Sequence, residues 1–349
     1  MQSEAASRAF EIQAKACDSY GSPFYAALLR RALGDLARDA GLARVLMPWV
    51  QADLQTWIAD AVLLRFLGAL HHLVLTGRAP QLAAAFPPYA ADGAQAWKAA
   101  SQALANHGDE IVSFMQHEPQ TNEVNRSACL LAAIQSLASR LDQPLRLFEL
   151  GASAGLNSMW DRFHYHLGEQ RWGDPLSPVR VVSAWRGVAP PLFRDVRVIE
   201  KRACDRRPVS IDNPTERARL LAYVWPDQTE RLVRLRAALE LAGRCGVRVE
   251  QADAARWVGD AVDLREGAVT ILFHTIFWQY VPEPTQRKLL SQIDQIGDQA
   301  TDSAPFVWLR MEPKAGDMSI IELRCRAWPL GDDRLLAHVH PHGTWIDWV

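Results

Sequence analysis

Residues 146–157 read RLFELGASAGLN. An acid, Glu149, stands near the end of an apolar run, and Gly151, Ser153 and Gly155 follow at alternate positions. Small residues let a ligand come close to the backbone, so the stretch reads as a strand ending at a small-ligand site. Further along, FHTIFWQY offers His274, Trp278, Gln279 and Tyr280, and WLRMEP offers Glu312. Histidine titrates near neutral pH, so His274 is the first candidate general base. Glu312 is the second, as a base or as the partner of a substrate cation, and Tyr280 completes the catalytic candidates. Trp278 and Tyr280 also read as pocket walls, where an aromatic face can hold a cationic centre, and Gln279 as a substrate contact. Each has a plainer reading: His274 as a strand-end cap, Glu312 as half of a salt bridge, and Asp227 as the N-cap of the helix that follows it.

These residues need elements to hold them. Up to about residue 140 the signals are helical. In YAALLRRALGDLA, Leu28, Leu29, Ala32, Leu33 and Leu36 recur at helical spacing, and five to seven helices are expected. From Pro144 short apolar runs alternate with helical segments. The strands expected are 145–150, 196–204, 247–249, 269–273 and 306–311. Helices are expected over 156–165 and from about 228 to 242, the latter stopped by Gly243 and Gly246. Such alternation argues for a mostly parallel α/β sheet with helices on both faces. The tail, IELRCRAW and RLLAHVHPHGTWIDWV, reads as an antiparallel pair closing that sheet. The division expected is residues 1–140 as a helical cover or lid and 141–349 as the sheet domain.

Composition narrows the class. With 49% hydrophobic and 22% charged residues among 349, the chain has material for a sizeable core. Its formal net charge of −2 gives no basic excess for a nucleic-acid groove. Cys17, Cys129, Cys204, Cys245 and Cys325 are odd in number and contain no CxxC pair, which suits reduced thiols in a cytoplasmic protein. The polar start, MQSEAASRAFEIQAKACDSY, has no apolar leader core. AVLLRFLGALHHLVL is broken by Arg65 and His71–His72 and is too short to span a bilayer, so a buried helix is expected and no membrane partner. The alternating His338, His340 and His342, and the pair His164 and His166, lack the cysteines or clustered carboxylates of a metal site, and no metal is expected.

Two nucleotide-like ligands compete for the glycine stretch. A dinucleotide fingerprint, aligned on Gly151, needs glycine at 153 and 156, where the chain has Ser153 and Leu156. The alternative, an acid followed by alternating glycines, resembles the first motif of class I S-adenosylmethionine methyltransferases, with Ser153 in place of the middle glycine. Over nearly the whole chain, QTNEVNRSACLL, LFELGASAGLN, GDPLSPV, YVWPDQ, FHTIFWQY, WLRMEP and HGTWIDW resemble a bacterial family known as a domain of unknown function and similar to those methyltransferases.

The resemblance implies a Rossmann-like sheet, mostly parallel with an antiparallel last strand, beside an all-α N-terminal region. It implies S-adenosylmethionine as cofactor, held by Glu149, Gly151, Ser153, Gly155 and Asn157. Asp205 would take the ribose hydroxyls, with Glu200 as the rival acid, and Asp253 with Ala254 the adenine. His274 would lie between cofactor and substrate. Asn122, Glu123 and Arg126 would form part of a lid, with Trp225 shaping the pocket. The 56 positions from Glu149 to Asp205 exceed one βαβ step and imply an insertion, about 166–195, expected as a hairpin over the site. The function expected is methyl transfer to an enclosed small molecule. The rivals are a non-catalytic nucleoside-binding protein and a nicotinamide-dependent oxidoreductase.

Overall fold

The computed structural model describes residues 4–138, 143–188, 192 and 195–349. Among the described residues before the sheet the elements are helical: α1 (Glu4–Ser19), α2 (Pro23–Asp35), α3 (Ala40–Leu46), α4 (Leu54–Ala59), α5 (Val62–Leu75), α6 (Pro80–Ala84), α7 (Gly93–Asn106), α8 (Gly108–Met115) and α9 (Ser127–Ala138). They outnumber the expectation because α3, α4, α6 and α8 are too short to repeat an apolar pattern over several turns. There follow β1 (Leu145–Leu150), β2 (His164–Leu167), β3 (Gln170–Trp172), β4 (Arg180–Arg186) and β5 (Val198–Asp205). Next come α10 (Pro214–Ala222), α11 (Thr229–Cys245), β6 (Glu250–Gln251), α12 (Ala254–Ala261) and β7 (Val269–Thr275). The chain ends with α13 (Glu283–Gly297), β8 (Phe306–Lys314), β9 (Asp317–Trp328), β10 (Asp332–Val339) and β11 (Trp345–Trp348).

The chain forms two compact units, residues 1–121 with 213–236, and 122–212 with 237–349. The boundary expected at 140 therefore shifts. α9 belongs with the sheet, and α10 and the first part of α11 belong with the helices. In the helical unit, α5 is the buried helix its composition demands: Val62, Leu63, Phe66, Leu67, Leu70 and Leu73 are all inside. Each such side chain contributes roughly 1.5–3 kcal/mol by leaving water. Asp227 does not cap its own helix. Its carboxylate accepts from the Ser22 hydroxyl at 2.6 Å and from Phe24 N–H at 3.1 Å, fixing the start of α2 from 205 residues away. Trp225, expected in the pocket, packs edge-on to Tyr25 in this helical core.

In the other unit eleven strands form one sheet, ordered β3-β2-β4-β11-β10-β9-β8-β7-β1-β5-β6. From β6 to β8 all pairs are parallel, and the strand order reverses between β1 and β7. That makes the carboxyl ends of β1 and β7 the switch point, where open α/β sheets bind ligands. α12 and α13 cover one face through Trp257, Val258, Leu289 and Ile293, packed on Phe148, Leu272, Phe306 and Trp308.

Several expectations change. The helix expected after β1 is a short 3₁₀ helix, Asn157–Arg162, which ends where Phe163 turns extended and β2 begins. Met159, Trp160, Phe163 and Tyr165 are all buried, so the apolar run is a crossing of the core and not one helix face. The expected strand 247–249 pairs only after it, at Glu250–Gln251. α11 runs through Gly243 and ends before Gly246, whose φ is +67°. The antiparallel tail does not close the sheet. β11 pairs in parallel with β4, and β4 with β2, so the insertion extends the sheet instead of folding over it.

Candidate functional site

The turn after β1 is bent at alternate residues: φ is +63° at Gly151, +55° at Ser153 and +73° at Gly155. Ser153 thus keeps the left-handed conformation of the glycine it replaces, at a cost of order 1–3 kcal/mol for a residue with a side chain. A Cβ on Gly151 would lie 2.3 Å from the Phe277 ring, and one on Gly155 2.9 Å from Val247 and Val249. Both glycines are therefore also needed for packing.

The N–H groups of residues 152–156 are all spoken for. Ala152 N–H donates to Cys204 O, Ser153 N–H to the Asp205 carboxylate at 2.9 Å, and Gly155 N–H to Ala152 O. The buried Asn122 amide oxygen accepts from Ala154 N–H at 3.2 Å and Leu156 N–H at 3.1 Å. From 152 to 156 the turn has no N–H left for a pyrophosphate, and the 3₁₀ helix after it is too short to supply a macrodipole.

What it does offer is acceptors. Glu149, Ser153 and Asn157 are buried, and Glu149 Oε2, Ser153 Oγ and Asn157 Oδ1 have no hydrogen-bond partner. Such orphans are expensive in a core unless a partner completes their bonding. Burial pushes the Glu149 carboxyl up to about 8; the nearby Asp205 charge adds to the rise, and the Ser158 N–H bond opposes it.

Asp205, at the end of β5, uses one oxygen on Ser153 N–H and the other on Arg207 N–H, leaving a lone pair on each. Its rival Glu200 is paired with Arg146 at 2.6 Å inside the sheet, away from the ligand edge. Arg146 also binds Asp263, so this is a structural ion network. Asp253 caps α12 through Arg256 N–H, and Ala254 opens that helix.

The catalytic candidates are placed differently from expectation. Register pairs Glu149 with Phe273, so His274, the next residue, points to the opposite face of the sheet. There it is fully buried with the α12/α13 core. Its Nε2 accepts from Trp308 Nε1–H at 3.1 Å, which leaves Nδ1 as the protonated nitrogen, donating to Glu312 Oε1 at 2.6 Å. Both ring nitrogens are thus engaged. Glu312 is equally occupied: it accepts from Phe277 N–H at 2.9 Å and Trp278 N–H at 3.2 Å. These bonds hold the turn in which Ile276, a β-branched residue, has a φ of +52°. His274 and Glu312 are thus positioning residues for this turn. Trp278 stacks on His274 at 5.4 Å, while Gln279 and Tyr280 are exposed, Tyr280 at 73%.

The segment expected as a lid is a set of braces. Asn125 donates to Val182 O and Gly343 O and accepts from Val182 N–H. Arg126 donates to Pro341 O and Thr275 O, tying the C-terminal turn to the end of β7. Glu123 caps its own short helix through Asn125 N–H. Sequence reasoning missed Phe277, Trp308 and Asn125, whose roles depend on partners from other strands. Among the described residues no group of three His, Cys, Asp or Glu could hold a metal, and no helix is long and apolar enough to cross a membrane.

This fold defines a mixed α/β protein with a large, mostly parallel sheet and a cluster of polar side chains at the switch point. The chain belongs to the family described as an uncharacterized protein conserved in bacteria, DUF2332, whose model matches residues 7–348. No curated protein and no solved structure matches it.

Proposed function

We propose that the sheet unit binds S-adenosylmethionine at the carboxyl ends of β1 and β5 and transfers its methyl group to a small-molecule acceptor. The observation that carries this reading is the trio of buried, unpartnered acceptors Glu149 Oε2, Ser153 Oγ and Asn157 Oδ1 beside a turn whose N–H groups from 152 to 156 are used. Such a site suits a ligand whose charged end is an ammonium and disfavours one whose charged end is a phosphate, which speaks against a nicotinamide cofactor. Asp205 has lone pairs left for two ribose hydroxyls, and Asp253 with Ala254 lies at the next strand end for adenine.

The cofactor supplies an electrophilic methyl on a sulfonium. With His274 and Glu312 engaged, the chain contributes alignment and exclusion of water. Acceptors that carry a lone pair at neutral pH without losing a proton to the protein, such as carboxylates or thiolates, fit best. The test is thermal unfolding with S-adenosylhomocysteine and with NADH, on wild type and Glu149→Gln. A ligand at ~100 times its Kd adds ~2.7 kcal/mol to the folded state. Stabilisation of wild type by the adenosyl ligand, lost in the variant, supports the reading; stabilisation by NADH alone overturns it. A non-catalytic nucleoside-binding protein would show the same shift, and turnover on an acceptor panel separates the two.

A further inference from the structure

The sheet extension turns one face to solvent. Along β4, Arg180, Val182, Ala184 and Arg186 are exposed, while Val181 and Ser183 are buried. His164 on β2 pairs with Arg180 on β4, and His166 on β2 pairs with Arg171 on β3. Cross-strand partners share a face at about 5 Å, so the four side chains stand together. The two imidazoles meet edge to face with centroids 4.8 Å apart. Partial burial, and then Arg171, His164 and Arg180, hold the His166 pKa below its usual value, and every charge acting on it is cationic. His164 Nδ1 is buried without a partner. No carboxylate of the described residues forms an ion pair with Arg171 or Arg180. The two guanidiniums flank β2 from either side, on β3 and β4. Here they gather on a chain with a net charge of −2.

We infer that His164, His166, Arg171 and Arg180 form a binding site for a phosphate-bearing ligand of the size of a di- or triphosphate. Two guanidinium forks match phosphate oxygens in pairs. The imidazoles add N–H donors between them. Three adjacent strands span about 10 Å, and the two histidines about 7 Å along β2, the reach of a short phosphate chain. A long polyanion fits less well, because the row is broken by Val182 and Ala184, and Asp347 lies opposite Arg186.

The test is calorimetric titration of the whole protein with tripolyphosphate at low salt, on wild type and on the double variant Arg171→Gln with Arg180→Gln. The expected result is saturable binding that weakens about tenfold or more in the variant. The variant should fold normally, since both side chains are exposed, and should bind S-adenosylhomocysteine as wild type does. Failure here is thereby separate from failure of the cofactor reading. Absence of tripolyphosphate binding, or equal binding by the variant, overturns the inference. So does a single-stranded oligonucleotide that binds more tightly than tripolyphosphate and gains affinity with length, which assigns the face to a nucleic-acid backbone.

Discussion

The Nδ1 of His274 lies 2.6 Å from Glu312 Oε1, and Trp308 holds the other nitrogen of the same ring. This buried chain ends in the backbone N–H groups of Phe277 and Trp278, so its work is to hold a strained turn at the switch point. Phe277 in turn covers Gly151. The two strained turns beside the ligand edge therefore brace each other within one unit. Ser153 and Ile276 are two of the three non-glycine residues with positive φ among the described residues, and such strain concentrates where structure serves a site.

Replacing Glu312 with alanine leaves the His274 N–H and two backbone N–H groups without an acceptor. At roughly 1–3 kcal/mol for each buried donor left unsatisfied, the loss is about 3 kcal/mol or more. Thermal unfolding should show a fall of several degrees. Glu312→Gln, which keeps one acceptor oxygen, should lose less. Equal stability of Glu312→Ala and wild type would show that the turn does not depend on this carboxylate.

Asn122 serves the glycine turn in the same way. Asn122→Ala strips two buried N–H groups of their acceptor and should cost about 2–4 kcal/mol in denaturant unfolding. Asn122→Asp keeps an acceptor oxygen and should recover part of it.

Glu149 makes stability depend on pH with a defined sign. Its folded pKa, about 8, lies above the ordinary 4.5, so the folded state keeps a proton that the unfolded chain releases in between. Its contribution is complete below about 4.5 and is lost as pH rises towards 8, by at most about 1.4 kcal/mol per unit. Glu149→Gln has no proton to lose. Its Tm relative to wild type should climb from pH 5 to pH 8 and then level off. A constant difference across that range would mean that the carboxyl ionises normally.

Ser153→Gly removes the left-handed strain and an orphaned hydroxyl and should stabilise the protein by about 0.5–1 kcal/mol. The same change removes an acceptor from the ligand site and should weaken adenosyl-ligand binding. Gly151→Ala should do the reverse of the first effect, because its Cβ meets Phe277 at 2.3 Å and φ is positive. Chemical denaturation of both variants, read beside ligand titrations, checks the pair.

The parts that were legible in the sequence are those set by neighbours in the chain. β1 falls at 145–150 as expected, because an apolar run is bounded by Pro144 and Gly151. β7 and β8 begin at the expected Val269 and Phe306, and α5 is the buried helix its composition demands. The parts that were not legible depend on distant partners. β4 is tied to β11, from the other end of the chain, and no local pattern reveals that the insertion extends the sheet. His274 reads as a base from its type and place, but its register face and its partners on β8, which engage both ring nitrogens, could not be read from it. The Asn122 side chain reads as lid polarity, yet its oxygen serves two N–H groups more than thirty residues later.

The most direct measurement is isothermal titration with S-adenosylhomocysteine in buffers of different ionisation enthalpy, at pH 7 and at pH 9. An ammonium bound beside Glu149 favours the ionised carboxylate. The account predicts saturable binding that releases close to one proton at pH 7 and almost none from Glu149 at pH 9, with tighter binding at the higher of two pH values below 8. Glu149→Gln should lose both the affinity and the proton. Absence of binding by wild type, or binding by Glu149→Gln equal to wild type, would contradict the claim that the buried acceptors after β1 are a cofactor site.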